Sequence, residues 1–413
     1  MSLANGLVCR GCDARYPIAP MWHGCGKCVD RAGDPHWLEV EYDLEKLDAS
    51  FLCFGRLWDY ADLLPPSSAA AGPTLGEGGT PLLFIPELND ELGLPGLHLK
   101  LETLNPTATF KDRLHAVSMS MAKQFGATHA AIVTTGNSGV AAAAMAARAG
   151  IKLAVITDPT TPVEHLRMMK LFGAAVTVPG KRGPVVLQAA ELMRSLVEEH
   201  NFYPCAVQGT YSGFGNPYGV EGYATIAYEV TAQLGGAPDR FLAPTAGGDA
   251  LYGPFLGFKR LADAGLARLL PRMTACQAEG ADYVVKAVAA GADHFTPIKP
   301  ATEALSIGDP VGSTSILRAI EMSSGTALGA PDEDLFEVLA ALGRFGICVE
   351  AASAAPVAAA RRAVQTGELE VGETMVALLT GTGMRWPAQV DRAIGQSPTL
   401  PDDANVIAEK LGA

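Results

Sequence analysis

The chain has 413 residues, 48% of them hydrophobic and 18% charged, and is long enough for two domains and a smaller unit. Its net charge of −13 argues against a nucleic-acid partner, because such binding needs Lys and Arg at the phosphates. No stretch reaches the roughly 18 to 20 apolar residues that cross a bilayer, and we see no secretion signal at the N-terminus. Scattered single cysteines indicate a reducing compartment, so we expect a cytoplasmic protein without membrane contact.

Near the N-terminus, two Cys-x2-Cys pairs are separated by twelve residues. The four cysteines are Cys9, Cys12, Cys25 and Cys28. Each pair can place two thiolates on one turn, and two such turns complete a tetrahedral zinc site. Because all four ligands come from the protein, we expect a structural zinc with no open position for substrate. The alternation from Trp37 to Tyr42 is typical of the last strand of a zinc ribbon, so we assign residues 1–45 to a ribbon.

From residue 97 onwards, short β-branched segments alternate with longer helical patterns. The patterns predict strands over 129–135, 152–156, 174–178, 241–244 and 375–379, and helices over 138–148, 163–172, 185–200 and 251–264. This order predicts an α/β fold with parallel sheets covered by helices on both faces. In such folds, ligands bind beyond the carboxyl ends of the strands, where loops lead into helices.

One polar turn, residues 105–113, leads directly into a predicted helix that starts near Lys111. A lysine at that place can reach a cavity above the sheet, and burial can keep its amine neutral, as Schiff-base chemistry requires. Taken alone, the Phe-Lys-Asp-Arg segment favours a surface lysine paired with Asp112. The loops that accompany it change this interpretation.

Three loops at strand–helix junctions offer hydroxyls, an amide and backbone N–H groups. The first, residues 134–139, places Thr135, Asn137 and Ser138 at a helix N-terminus, which favours anionic oxygens. In the second, glycines let N–H groups approach a phosphate. This second loop consists of Ala246, Gly247, Gly248, Asp249 and Ala250. The third begins with Thr380, directly after a strand. Together with the lysine turn, these loops predict one cofactor site.

With these motifs the chain resembles threonine synthase and its relatives among the pyridoxal-phosphate (PLP) enzymes. Residues 76–82 look like the family's Glu-Gly-x-Thr-Pro-Leu, and residues 105–113 look like its Asn-Pro-Thr-Gly-Ser-Phe-Lys-Asp-Arg. Residues 135–139 and 350–354 resemble Ser-Gly-Asn-Thr-Gly and Glu-Pro-Ala-Ser-Ala. The similarity extends from the ribbon, which some threonine synthases carry, nearly to the C-terminus.

This resemblance implies two parallel-sheet domains of the tryptophan synthase β-like type, in a homodimer that acts on a small amino acid. The large PLP-binding domain would comprise residues 46–113 and 216–413, and the small α/β domain residues 114–215. Lys111 would hold PLP as a Schiff base, with Phe110 behind the ring and Asn137 on the phenolic oxygen.

The remaining candidates complete the implied site. The loop over 246–250 would hold the phosphate. Thr380 would face the pyridine nitrogen, and a neutral partner there favours eliminations over reactions that need a long-lived carbanion. The residues expected to contact the substrate are Thr107, Thr109, Thr135 and Ser138.

Several positions depart from threonine synthase. Over 216–223 the family's Asn-Pro-x-Arg-Ile-Glu-Gly-Gln has Gly219 in place of Arg and Tyr223 in place of Gln. In the family that arginine helps to bind the phosphate of O-phosphohomoserine, so the glycine removes a bidentate ligand. In the lysine turn, Ala108 replaces Gly and adds a methyl group near the expected substrate. Asp249 lies beside the expected cofactor phosphate and should point away from it, because the two negative charges repel.

These departures leave three hypotheses open. The first is a PLP-dependent lyase that eliminates or replaces a β- or γ-leaving group of an L-amino acid, with a small β-substituted amino acid preferred over O-phosphohomoserine. The second is threonine synthase proper, with the substrate phosphate held by Thr107, Thr109, Asn216 and a cation that the sequence does not identify. The third is a catalytically inactive zinc-ribbon binding protein, against which the intact Lys111 and Asn137 argue.

Overall fold

A computed structural model describes residues 2–29, 36–67, 72–179, 185–205, 214–395 and 399–412. Its N-terminal part is a three-stranded antiparallel sheet of β1 (Ala4–Cys9), β2 (Arg15–Tyr16) and β3 (Leu38–Tyr42), with β1 in the centre. The alternation predicted from Trp37 onwards therefore falls on a strand.

Two further sheets follow. Their strands are β4 (Leu82–Leu83), β5 (Leu97–Leu101), β6 (His129–Val133), β7 (Lys152–Ile156), β8 (Ala175–Thr177), β9 (Tyr203–Pro204), β10 (Arg240–Pro244), β11 (Arg272–Ala278), β12 (Thr326–Ala330) and β13 (Met375–Leu379). The large sheet has the order β12-β11-β10-β13-β5-β4, and every pair except β4–β5 is parallel. The smaller sheet has the order β8-β7-β6-β9 and is parallel throughout.

Helices separate the strands. They are α1 (Pro86–Leu92), α2 (Lys111–Gln124), α3 (Asn137–Ala149), α4 (Val163–Leu171), α5 (Val185–Glu198), α6 (Glu221–Leu234), α7 (Asp249–Asp263), α8 (Tyr283–Ala289), α9 (Ser315–Met322), α10 (Asp332–Arg344), α11 (Ala351–Thr366), α12 (Pro387–Ile394) and α13 (Ala404–Leu411). Within the described ranges, none is both long and apolar enough to span a membrane.

The core lies on both faces of the large sheet, as the sequence predicts. Along β13, Val376 and Leu378 join the cluster under α6 and α7, whereas Met375, Ala377 and Leu379 join the cluster that includes α10 and α11. A parallel strand that is buried on both faces needs apolar residues at every position, and all five are buried. The α/β fold class is therefore confirmed.

The N-terminal sheet packs against α6 and α7 and shares their hydrophobic cluster. Tyr42 donates a hydrogen bond of 3.0 Å to Glu221, whose carboxylate also accepts from Arg260. Glu39 accepts from the hydroxyl of Tyr252, on the first turn of α7. This contact connects the cysteine-rich unit to the helix that starts at the predicted phosphate loop.

Candidate active site

Lys111 is the first residue of α2, and its amine lies between aromatic rings and a carboxylate. Its Nζ is 4.6 Å from the ring centroid of Phe110, 5.7 Å from that of Tyr223 and 3.5 Å from Oδ2 of Asp249. The side chain is 22% exposed, so a small molecule can reach it. The helix begins at Lys111, in agreement with the prediction from the sequence.

Backbone contacts hold the lysine turn against the loop that follows β13. The N–H of Phe110 donates to the carbonyl of Thr380 at 2.9 Å, and the N–H of Thr382 donates to Ala108 at 3.1 Å. Ala108 has φ of 55°, in the left-handed region that favours glycine. Phe110 stacks on Tyr223 with 4.5 Å between the ring centroids. The two loops that the sequence singles out are thus in direct contact.

The polar residues of this turn bond to one another. Thr107 donates to Asp112 through its N–H at 2.7 Å and through its hydroxyl at 2.6 Å, so Asp112 is bonded here and does not serve as the ion-pair partner of Lys111. Thr109 is fully buried, and its hydroxyl accepts from the N–H of Lys111 at 3.4 Å. The substrate contacts expected of both threonines remain predictions.

Arg113 anchors α2 through an ion-pair cluster in which every side chain is fully buried. It donates to Glu102 at 2.7 Å and to Glu229 at 2.9 Å, and Lys100 donates to Glu229 at 2.7 Å. Burial opposes the charged form of Glu229, but Arg113 and Lys100 outweigh it and lower its pKa to about 2. Arg113 is therefore paired with carboxylates in the core and does not face the site.

Asn137, the first residue of α3, is bonded from three sides. Its Nδ2 donates to Glu350 at 2.9 Å, and its Oδ1 accepts from Arg385 at 2.9 Å and lies 3.2 Å from Nε2 of His165. Burial raises the pKa of Glu350, although Ser306, Arg385 and Asn137 favour the charged form. Because Glu350 precedes α11 and Arg385 follows β13, Asn137 joins the two parallel sheets.

Arg385 is the functional candidate that sequence reasoning missed. It donates to the carbonyl of Thr107 at 2.6 Å and to Asn137, which are both neutral, and its enclosed Nε has no hydrogen-bond partner among the described residues. Burial lowers its pKa against the opposing effects of Glu350 and Asp112. A partly desolvated guanidinium without a bonded anion is suited to bind one. Its position just past the loop at Thr380 was the available signal, because ligands bind beyond strand ends.

Thr135 and Ser138, the other two candidate residues of the loop over 134–139, differ in environment. Ser138 lies 2.9 Å from Nε2 of His115, whose pKa falls to about 3 because of burial and the nearby Lys111. His115 is therefore a neutral core residue at physiological pH. Thr135 is exposed. Neither geometry tests the substrate contacts that the sequence predicts.

The glycine loop leads into α7. Gly248 has φ of 115°, and a Cβ there would lie 2.6 Å from the side chain of Ile316, so only glycine fits. The N–H groups of Gly248, Asp249 and Ala250 have no acceptor within the described part of the chain. Free N–H groups at a helix N-terminus are suited to a phosphate.

Thr380 and Gly381 begin the loop that follows β13. The hydroxyl of Thr380 is buried 3.0 Å from that of Ser353, so it is neutral and hydrogen-bonded. A Cβ on Gly381 would lie 2.4 Å from Glu350 and 3.0 Å from Asn137, so this backbone must approach them closely. An accessible lysine amine, a cradle of N–H groups and a neutral hydroxyl are the groups that PLP requires, and these residues fit it.

The cysteine cluster lies in the N-terminal sheet. The four Sγ atoms are within 4.8 Å of one another, with 3.5 Å between Cys9 and Cys28 and 3.7 Å between Cys12 and Cys25. The cluster is compatible with a tetrahedral metal site.

Comparisons with known proteins agree with this geometry. The family model described as "Pyridoxal-phosphate dependent enzyme" matches residues 73–381, and the chain belongs to this family. A threonine synthase of Methanosarcina acetivorans is 34% identical, over 97% of this chain and 97% of that protein. A threonine synthase of Methanocaldococcus jannaschii is 32% identical, over 98% of each. The protein is thus a PLP-dependent lyase of the threonine synthase type.

Solved structures share the fold. Maize serine racemase matches with a TM-score of 0.62 and 18% identity, covering 76% of this chain and 92% of that one. A processed threonine deaminase from Solanum lycopersicum matches with a TM-score of 0.64 and 18% identity, covering 76% of this chain and 82% of that one. These likenesses confirm the tryptophan synthase β-like type of fold.

Proposed function

We propose that the enzyme converts O-phosphohomoserine and water into threonine and inorganic phosphate. Arg385 carries this proposal, because it is a partly desolvated cation at the edge of the site that, among the described residues, bonds only neutral oxygens. Arg385 would supply the positive charge that is lost because this chain has Gly219 where the family motif has arginine. The names of the two full-length relatives favour the same reaction.

An arginine could not readily be accommodated at position 219. Gly219 is buried, and a Cβ there would already lie 3.1 Å from the side chain of Leu114 on α2. A long cationic side chain would have to displace this packing. A cation that reaches the substrate from the loop after β13 avoids this conflict, which is why Arg385 is the better candidate.

In this proposal the bond between the γ-carbon and the phosphate oxygen breaks, and the γ-carbon takes up a proton. The β-carbon loses one hydrogen as a proton and gains the hydroxyl of a water, and the remaining proton leaves with the inorganic phosphate. PLP, when bound to Lys111, supplies the electron sink. The amine of Lys111 would move protons, since it lies at the site and is partly enclosed. Arg385 would hold the leaving phosphate through the Nη groups that now bond Thr107 and Asn137.

A smaller substrate with a β-leaving group is the second candidate. Tyr223 favours it, because this aromatic ring stacks on Phe110 where the family has a flexible glutamine, and its buried hydroxyl has no partner among the described residues. Such a wall suits a substrate that carries less charge. Serine, threonine and 2,3-diaminopropionate represent this class.

The proposal includes the remaining site assignments made from the sequence. Phe110, Asn137, Thr380 and the loop over 246–250 would bind PLP, and Thr107, Thr109, Thr135 and Ser138 would contact substrate. The four cysteines would bind one structural zinc. The large domain over 46–113 and 216–413, the small domain over 114–215, the homodimer and the cytoplasmic location also belong to the proposal.

A substrate panel tests it. We would compare kcat/KM for O-phosphohomoserine with kcat/KM for serine, threonine and 2,3-diaminopropionate, and follow phosphate, threonine, ammonia and keto acid. We expect equal amounts of phosphate and threonine from O-phosphohomoserine and the highest kcat/KM for it. A higher kcat/KM for one of the other three, with keto acid and ammonia as products, would favour the second candidate instead.

A further inference from the structure

Two carboxylates lie beside the glycine loop that the proposed function assigns to the PLP phosphate. Oδ1 of Asp249 and Oδ2 of Asp309 are each 3.9 Å from the position that a Cβ would take on Gly247. Asp249 also lies 3.5 Å from Nζ of Lys111. For Asp309, the described residues include no cation within salt-bridge distance. The loop would therefore bring a phosphate towards a carboxylate that no described residue neutralises by an ion pair.

The groups around Asp309 come from several elements. Burial raises the pKa of Asp309 to about 6, Lys111 on α2 opposes this, Asp249 on α7 adds to it, and the N–H of Gly247 opposes it. From α8, the hydroxyl of Tyr283 is already bonded to the carbonyl of Ala246. Burial and Asp249 thus favour the protonated carboxyl group of Asp309, whereas Lys111 and the N–H of Gly247 favour the charged one.

We propose that Asp309 takes up a proton when PLP binds, so that the affinity for PLP falls as the pH rises. A phosphate at the free N–H groups of the loop adds negative charge close to Asp309, and a nearby negative charge favours the protonated carboxyl. Protonation removes the repulsion and gives Asp309 an O–H that can donate to a phosphate oxygen.

Proton linkage determines how Kd for PLP depends on pH. Well below the pKa of Asp309 the carboxyl is already protonated, and binding takes up no proton. Above pH 6 each bound PLP takes up one proton at Asp309, so Kd rises about tenfold for each pH unit until the pKa of the complex is reached. The phosphate has its own ionisation near pH 6, and this contribution is shared by every variant of the protein.

The experiment measures Kd for PLP by equilibrium dialysis of the holoenzyme between pH 5.5 and 8.5, with bound PLP read by absorbance. We expect the slope of log Kd against pH above pH 6 to be about one unit smaller in Asp309→Asn than in the unmodified protein. Asp309→Glu keeps a carboxyl and should retain most of the slope. Asp263→Asn is the matched control at the other end of α7, where Asp263 pairs with Lys259, and it should leave the slope unchanged.

Equal slopes in the unmodified protein and Asp309→Asn would overturn the proposal, as would weaker PLP binding by Asp309→Asn at pH 8. Borohydride treatment of the same samples, followed by peptide mapping, separates this result from a failure of the proposed function. PLP fixed on Lys111 together with equal slopes rejects only the role of Asp309. PLP fixed on another lysine rejects both the assigned site and this inference.

Discussion

Arg385 donates a hydrogen bond of 2.9 Å to the side-chain carbonyl of Asn137, across 248 positions of sequence. Asn137 starts α3 beside the smaller sheet, and Arg385 follows the central strand β13 of the large sheet. The contact therefore joins two sheets at the mouth of the site. A substrate anion that binds Arg385 would compete with this contact, so binding and the relative position of the sheets are expected to be coupled.

Replacing Arg385 tests its assignment as the phosphate ligand. We expect Arg385→Gln to lower kcat/KM for O-phosphohomoserine by roughly ten- to more than a hundredfold, because a hydrogen bond to a charged group contributes about 1.5 to 3 kcal/mol. Arg385→Lys should keep part of the activity, since it retains the charge but loses the bidentate geometry. Steady-state kinetics with both variants provide the measurement.

Two comparisons make this result specific. Arg344→Gln removes an exposed arginine that pairs with Glu91 on the surface, and it should leave kcat/KM unchanged. Activity of Arg385→Gln towards serine should fall much less than activity towards O-phosphohomoserine. An equal loss for both substrates would mean that Arg385 only positions Asn137.

Lys111 is expected to carry both the covalent bond to PLP and proton transfer. Lys111→Ala should lose the absorbance band of lysine-bound PLP and lose activity by about 10² to 10⁴-fold from proton transfer alone. Absorbance spectra and kinetics of the purified variant measure both effects. Lys259→Ala, which changes a surface lysine, is the control. A lysine-bound PLP band that survives in Lys111→Ala would show that another lysine holds the cofactor.

Local patterns in the sequence predicted much of this site, and long-range contacts account for what they missed. The helix start at Lys111, the strands at 152–156 and 375–379 and the cysteine pairs depend on neighbouring residues, and the structure agrees with each. The roles proposed for Arg385 and Asp309 could not be predicted from neighbouring residues. They depend on the folded arrangement, in which β13 and the segment before α9 lie near α2 and α7. Gly219 shows the same limit, because its packing against Leu114 decides whether an arginine could return there.

The buried cluster around Arg113 should be essential for stability. Arg113→Met leaves Glu102 and Glu229 buried without their main partner, and breaking a buried pair in this way costs about 3 to 5 kcal/mol. Chemical denaturation at pH 7 measures the change in the free energy of unfolding. The pKa of Glu229 is lowered, so its contribution is present above pH 4.5 and is lost as the pH falls towards 2. A loss below 1 kcal/mol would contradict this role.

Metal removal should affect the whole protein and not the N-terminal sheet alone. The N-terminal sheet shares a hydrophobic cluster with α6 and α7, and Glu39 bonds Tyr252 on the helix that starts at the phosphate loop. We expect one zinc per chain by elemental analysis, and a lower Tm with a single calorimetric transition after chelation. A separate low-temperature transition, with the main one unchanged, would show that the ribbon unfolds by itself.

Ala108 offers a test of strain in the lysine turn. Its φ of 55° costs a non-glycine residue about 1 to 2 kcal/mol, and the greater freedom of glycine in the unfolded chain offsets about 0.4 to 1 kcal/mol of any relief. Ala108→Gly should therefore stabilise the protein by up to about 1.6 kcal/mol, which chemical denaturation can measure. Ser324→Gly is the matched control, because Ser324 has φ of 50° after α9, outside the lysine turn. Both variants should gain stability, but only Ala108→Gly should change KM, since only this methyl group lies in the turn that carries Lys111. Equal KM values in both variants would show that the methyl group of Ala108 does not approach the substrate.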